Sequence, residues 1–294
     1  MPNDADNPLE PVTGSELYHR ALELFEQGNL DDALAYVDRA LDLGHVDADI
    51  CLLKAQVVFD LRRYDEAMRW VEEAEAFNPL NVEVELFRGR VYAAQHKIRR
   101  ALACYSRVLE RDPNQAEAML HRGIALFELG EPERAAESFA EAQRLTQDND
   151  EREAELYYWR AKLERQRGRV RVAKSLLEDA LIRHDQHVPT YAELGDLLRA
   201  EARSTRDLWR AKRVYERGLA IEPDDPALHN DFGNLLRELR DLPGSIRHLT
   251  RAIEINPRHE VAYFNRGLSY EEVGDWTSAL ADFRRAVELD AKDT

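Results

Sequence analysis

Only two cysteines and three methionines occur among the 294 residues, and nowhere does the chain run long without charge. Two cysteines cannot build a disulfide framework, so Cys51 and Cys104, each in an apolar-periodic stretch, read as reduced thiols of the core. The lack of a long apolar run excludes a membrane-spanning helix. The opening residues, MPNDADNPLEPVTG, have neither the basic start nor the apolar body of a secretory signal, and the expected address is cytoplasmic. Residues 1–13 read as an acidic arm in which Pro8 and Pro11 oppose a long helix.

Catalytic signatures are missing as well. There is no glycine-rich phosphate loop, no HExxH, no nucleophile elbow and no paired CxxC. His184, Asp185 and His187 come nearest to a metal set, but they fall in a hydrophilic junction and read as a turn. The run Asp148, Asn149, Asp150, Glu151 lacks the glycine and distal Glu of a calcium loop; Asn and acids in that place suit the start of a helix. The expectation is therefore no enzyme, no metal and no cofactor. A net charge of -16 also opposes nucleic acid as a partner.

What the chain does have is a period. Gly or Ala recurs at Ala21, Ala55, Gly89, Gly123, Ala161, Gly195, Gly233 and Gly267, with gaps of 34 or 38 residues. A second register runs through Ala33, Ala67, Ala101, Ala135, Ala173, Ala211, Ser245 and Ala279. A third runs through Ala40, Ala74, Val108, Ala142, Ala180, Gly218, Ala252 and Ala286. Three small positions per unit predict two helices whose backbones approach closely, with larger apolar residues interdigitating around them. The reading is an all-α array of eight helix pairs, at about 14–47, 48–81, 82–115, 116–149, 154–187, 188–225, 226–259 and 260–293.

The spelling of the last unit, AYFNRGLSYEEVGDWTSALADFRRAVELD, resembles the tetratricopeptide repeat. Tyr263, Gly267, Tyr270, Gly274, Ala279, Phe283 and Ala286 match its pattern in order. The closing proline, absent there, appears as Pro79, Pro113, Pro223 and Pro257. The resemblance covers about residues 14–293 and implies an α-α superhelix, a right-handed solenoid whose first helices line a concave face. It also implies binding without catalysis, commonly of peptides or extended segments of other proteins.

Two departures mark breaks in the repetition. Between Ala135 and Ala173 the extra residues fall in TQDNDERE, which reads as a lengthened connection with a slack point near 146–153. Inside the sixth unit, around AEARSTRD, the insertion predicts longer helices or a protruding turn.

Helical spacing and the resemblance together name a groove. Its first half presents Tyr18, Leu22 and Phe25, then Leu52 and Phe59, then Leu86, then Leu120, Ile124 and Phe127, with Tyr158 and Trp159 at the fifth unit. This apolar and aromatic stripe suits an amphipathic helix or an extended apolar segment. The same face then carries Arg90, Lys162, Arg165, Arg199 and Arg237, interspersed with Glu193 and Asp196. Residues 160–217 hold 15 Lys or Arg against 9 Asp or Glu, a run that reads either as a solvated, internally salt-bridged face or as a site for a partner that combines apolar anchors with acidic residues.

Asn230, Asn234 and Asn265 project from the last first helices. Asn234 and Asn265 stand at the two amide positions of the carboxylate clamp found in some tetratricopeptide domains, but Asn230 stands where that clamp needs Lys. Only AKDT follows the eighth unit, so Leu280, Phe283 and Val287 are expected on an uncovered end face that could pair with a second copy. A binding scaffold is the leading reading, and an assembly protein joined through its ends is the alternative.

Overall fold

The computed structural model describes residues 13–146 and 149–293, and the side chains as far as residue 290. Among the described residues there are sixteen helices and no strand. The chain divides into two compact units, with the division between Leu145 and Thr146, at the start of the stretch expected to be slack.

The first unit comprises α1 (Gly14–Glu26), α2 (Leu30–Asp42), α3 (Ala48–Asp60), α4 (Tyr64–Phe77), α5 (Val82–Ala94), α6 (Ile98–Arg111), α7 (Ala116–Glu128) and α8 (Pro132–Leu145). In the second unit follow α9 (Asp150–Gln166), α10 (Val170–Arg183), α11 (Val188–Ala200), α12 (Thr205–Ile221), α13 (Pro226–Glu238), α14 (Leu242–Ile255), α15 (Glu260–Val273) and α16 (Trp276–Asp293). Odd and even helices pack as pairs, and each even helix also meets the next odd one within its unit. Odd helices touch one another directly, α1 on α3 and α5 on α7 in the first unit, α11 on α13 and α13 on α15 in the second. The first helices thus form the inner row of each unit.

The three small registers lie at the seams, every one of their residues buried. At the first register, size is matched across each pair. A Cβ built on Gly123 would lie 2.5 Å from the Phe139 ring, and one on Gly195 would lie 2.6 Å from Tyr215. Phe139 follows Gly123 by 16 residues, and at the same offset from Ala21 and Ala55 stand the smaller Val37 and Val71. Gly123 and Gly195 admit an aromatic ring, Gly233 admits Leu249, and Ala21 and Ala55 stand opposite valines, so the inter-helix space is filled each way.

Within each pair the turn reverses the chain through one left-handed residue. Gly28, Gly130, Gly168 and Gly274 have positive φ there, and so do the non-glycine residues Arg62, His96 and Arg240. In the sixth unit no residue has positive φ at the turn. Its insertion instead lengthens α12 to 17 residues, begun by a Ser204 side chain that accepts from the Asp207 amide.

The first insertion differs from the expected long connection. Residues 150–153 form the first turn of α9, whose N-cap Asn149 accepts from Arg152 N at 2.9 Å. Its acids favour that helix start through its dipole. Asp148 lies outside the described residues.

Cys51 and Cys104 are buried free thiols. Burial pushes them up to about 11 and about 12, which keeps them protonated and unreactive.

Candidate binding faces

In the first unit, α3, α5 and α7 hold their inner sides close enough to enclose a cavity of about 300 Å³. Leu52 and Gln56 come from α3, Leu86, Phe87 and Arg90 from α5, and Gln115 and Glu117 from the start of α7. Three residues named from the sequence, Leu52, Leu86 and Arg90, therefore meet in one place. The Arg90 guanidinium lies 5.3 Å from the Phe87 ring centre and 5.6 Å from that of Phe59, while Phe59 and Phe87 sit edge to face at 5.4 Å. Such contacts hold the cation over an apolar wall.

The rest of the stripe is divided. Tyr18, Leu22 and Phe25 on α1 are half-buried and pack against the core of the first repeats, away from this cavity. Burial, then the carboxylates of Asp49, Asp47 and Glu83, raises the Tyr18 phenol, which places Tyr18 beside the starts of α3 and α5. Ile124 and Phe127 are half-buried on α7. Leu120 corrects the expectation: at 1% exposure it is a core residue with no surface to offer.

In the second unit the cations of this face have partners within the fold. Lys162 lies 4.5 Å above the Trp159 ring and 5.4 Å from that of Tyr158, capping the aromatic pair. Burial pushes the Tyr158 phenol up to about 12. Arg165 on α9 donates to Glu193 on α11 at 2.6 Å. Arg199 on α11 donates to Glu238 on α13 at 3.1 Å, and Arg237 on α13 to Glu272 on α15 at 3.0 Å. Each guanidinium is thus answered by a carboxylate from the next first helix. The ladder ties neighbouring repeats together and leaves little charge for an acidic ligand.

The asparagines are also engaged internally. Asn265 Nδ2 donates to Asn230 Oδ1 at 2.8 Å, and Asn230 Nδ2 donates to Asp231 Oδ1 at 3.0 Å. Both amides are buried. Asn234 is half-buried, its Oδ1 enclosed without a donor. A clamp that needs Asn265 facing a ligand does not fit this arrangement. Burial, reinforced by Asp196, raises the Asp231 carboxyl to about 6.

A histidine pair that no spacing had indicated lies beside this row. His229 Nε2 lies 2.9 Å from Pro223 O and must donate to it, leaving Nδ1 to accept from His248 Nδ1 at 2.9 Å. Burial and the neighbouring His229 hold His248 down at about 4. His187 is likewise held down at about 4 by burial and then His184, with Nδ1 2.6 Å from Thr190 Oγ1. The junction His184, Asp185, His187 is a turn whose Asp185 carbonyl accepts from Tyr191 Oη at 2.9 Å.

At the far end of the second unit, Leu280 and Val287 are 50% and 68% exposed. Phe283 is half-buried and lines a cavity of about 240 Å³ with Phe264, Ala286 and Val287, between Glu260 and Asp290. The same Phe283 ring fills the space beside Gly267, so it belongs to the core and to the end face at once.

Helix pairs with a small-residue seam, a turn closed by a left-handed residue and an inner row of first helices point one way, and a family model of the tetratricopeptide repeat matches residues 18–81, 88–150 and 230–294. The chain belongs to the tetratricopeptide repeat family. The unmatched stretch between residues 150 and 230 holds the fifth and sixth units. Among curated proteins, the human mitochondrial import receptor subunit TOM70 is 23% identical over 97% of this chain and 48% of its own length. A DnaJ homolog subfamily C member 7 homolog from Schizosaccharomyces pombe is 26% identical over 64% of this chain and 41% of its own. The chain spans half or less of these relatives. Among solved structures, the APC/C hetero-tetramer Cut9-Hcn1 superposes with a TM-score of 0.74 at 17% identity, covering 93% of this chain and 52% of that one, a likeness of fold. Among the described residues no helix is long and apolar enough to cross a membrane.

Proposed function

We propose that the chain is a non-enzymatic interaction scaffold that holds a peptide or helix of a partner protein on the first-helix face of its first unit. The cavity gathering Leu52, Leu86 and Arg90 beside Phe59 and Phe87 carries this reading. An apolar side chain of the partner fills it, and Arg90, shared between ring faces and a Glu117 carboxylate 4.0 Å away, meets a polar group at its rim. The family's repeats, and relatives that include a subunit named as an import receptor, agree with a role in holding other chains. The pairing of charges in the second unit favours apolar anchors over acidic residues as the basis of recognition, because the ladder arginines are already answered.

The test is affinity capture from native lysate with wild type, Gln56→Trp and Arg165→Ala. Gln56→Trp fills the cavity from its rim and leaves the core residues in place. A partner kept by wild type and Arg165→Ala but lost by Gln56→Trp supports the proposal; one kept by Gln56→Trp contradicts it.

A second reading rests on the exposed Leu280 and Val287, which suit a self-association face at the end of α16. Light scattering of Val287→Glu tests it: a dimer dissociated by the substitution supports the reading, and a monomer at all concentrations opposes it. Val287 serves better than Phe283, whose loss would also empty the space at Gly267.

A further inference from the structure

A cavity of about 1220 Å³ opens on the second-helix side of the first unit, away from the first-helix face. Its apolar surface is Leu41 at the end of α2, Val46 in the turn that follows, and Tyr64 and Trp70 on α4. Trp70 stands where the preceding repeat has Tyr36 and the two following repeats have the buried Cys104 and Ser138. Lys54 lies 3.9 Å from the centre of the indole ring and is itself held by Asp38 at 2.6 Å. That cation is committed, as is Arg63 beside Glu66 at 3.9 Å in the lining itself; three others are not.

Arg62, Arg69 and Lys97 line the same space. Arg62 reaches only the Tyr64 hydroxyl, at 3.5 Å, and Lys97 donates to the Gln95 amide oxygen at 2.8 Å. Arg69 has no ion-pair or hydrogen-bond partner among the described residues. Of the acids in the lining, Glu66 lies 3.9 Å from Arg63 and Asp65 accepts from the neutral Gln95 Nε2 at 2.9 Å, so Asp65 and Glu73 are the carboxylates without a cation. Three cations without carboxylates thus surround an apolar wall in a chain whose net charge is -16. The ladder of the second unit shows the opposite condition, every groove arginine answered from the next repeat.

We propose that this outer cavity docks an acidic segment of a partner protein, an apolar side chain seated on Trp70, Leu41 and Val46 and its carboxylates on Arg62, Arg69 and Lys97. Arginine forks suit carboxylates because they bind them through two parallel hydrogen bonds. The surface is separate from the first-helix cavity, so the two can be occupied together and either can fail alone.

The test uses fluorescence anisotropy with the full chain and a labelled short peptide alternating Leu with Glu and Asp, beside its Gln and Asn counterpart. The expected result is that the acidic peptide binds at least about tenfold more tightly than the amide one and weakens with salt. Arg62→Glu with Arg69→Glu should remove at least about tenfold of that affinity, and Trp70→Ser should reduce it, with circular dichroism showing both variants folded. Gln56→Trp, in the other cavity, should leave it unchanged. Equal binding of the two peptides, or no loss in the Arg62 and Arg69 variant, overturns the proposal. So does a change in molecular mass on charge reversal, which would point to a second copy. Tighter binding after removal of residues 1–12 would assign the cavity to the chain's own acidic segment and overturn it as well.

Discussion

The inner faces of the two units are built on one register and use it differently. In the first unit Leu52, Leu86, Phe87 and Arg90 leave a cavity between first helices. In the second unit the inner row carries Arg165, Arg199 and Arg237, each joined to a carboxylate of the following first helix. A repeat face can present its side chains to a ligand or bind them to its own neighbour, and sequence period alone does not say which. Charge in a groove is evidence of a charged ligand only after the groove's own counter-ions have been found.

The sharpest way to break the contrast is at a buried pair of the second unit. Arg266 Nε donates to Asp282 Oδ2 at 2.7 Å and Nη2 to Oδ1 at 2.8 Å, with Nη1 on Thr250 at 3.1 Å. Arg266→Ala would leave a buried carboxylate alone, and thermal or denaturant unfolding should show a loss of about 3 kcal/mol. Hydrogen exchange should place the loss in α15 and α16.

Acid should separate the units next. His187 and His248 titrate near 4 in the fold against an ordinary value of 6.5, so folding favours their neutral forms. Their contribution is complete above pH 6.5 and is lost as pH falls towards 4. Hydrogen exchange across that window should show the second unit opening before the first. Asp231, raised to about 6, acts in the other sense: its ionised form is disfavoured in the fold, and that strain is felt as pH rises through 6. Asp231→Asn should therefore stabilise the second unit more at pH 7 than at pH 4.

In the first unit the matching experiment is steric. Gly123→Ala puts a Cβ 2.5 Å from the Phe139 ring, inside contact distance, and should cost about 2 kcal/mol despite alanine's better helix propensity. The paired change with Phe139→Val, which reproduces the Ala–Val combination of the first two repeats, should recover part of the loss. His96→Gly relieves a positive φ of 58 at a turn where other repeats use glycine, and should stabilise by about 1 kcal/mol in the same assay. The smallest effect is expected at the ladder: Arg237→Ala should cost under about 1 kcal/mol, because one half-exposed ion pair is screened by water.

The three small registers made the helix pairs legible, because close backbone approach tolerates few side chains and the constraint returns every period. That Leu52, Leu86 and Arg90 share one side of the inner row was legible for the same reason, although both leucines are buried. Leu120 was not separable from them, since a helix position turned slightly towards its neighbour changes from surface to core without changing its spacing. Signals for the ladder were present but distant: Glu193 follows Arg165 by 28 residues, Glu238 follows Arg199 by 39, and Glu272 follows Arg237 by 35. Pairing each face arginine with an acid about one repeat later would have found them. The tie between His229 and His248 had no such signal, because it depends on burial and on the carbonyl of Pro223.

The most direct test of the account is site-specific photo-crosslinking of the full chain in its native lysate, with the photoreactive side chain at Gln56 in one preparation and at Arg165 in another. The account predicts a discrete partner adduct from Gln56 and none from Arg165. An adduct from Arg165 alone would contradict it and place recognition on the ion ladder of the second unit.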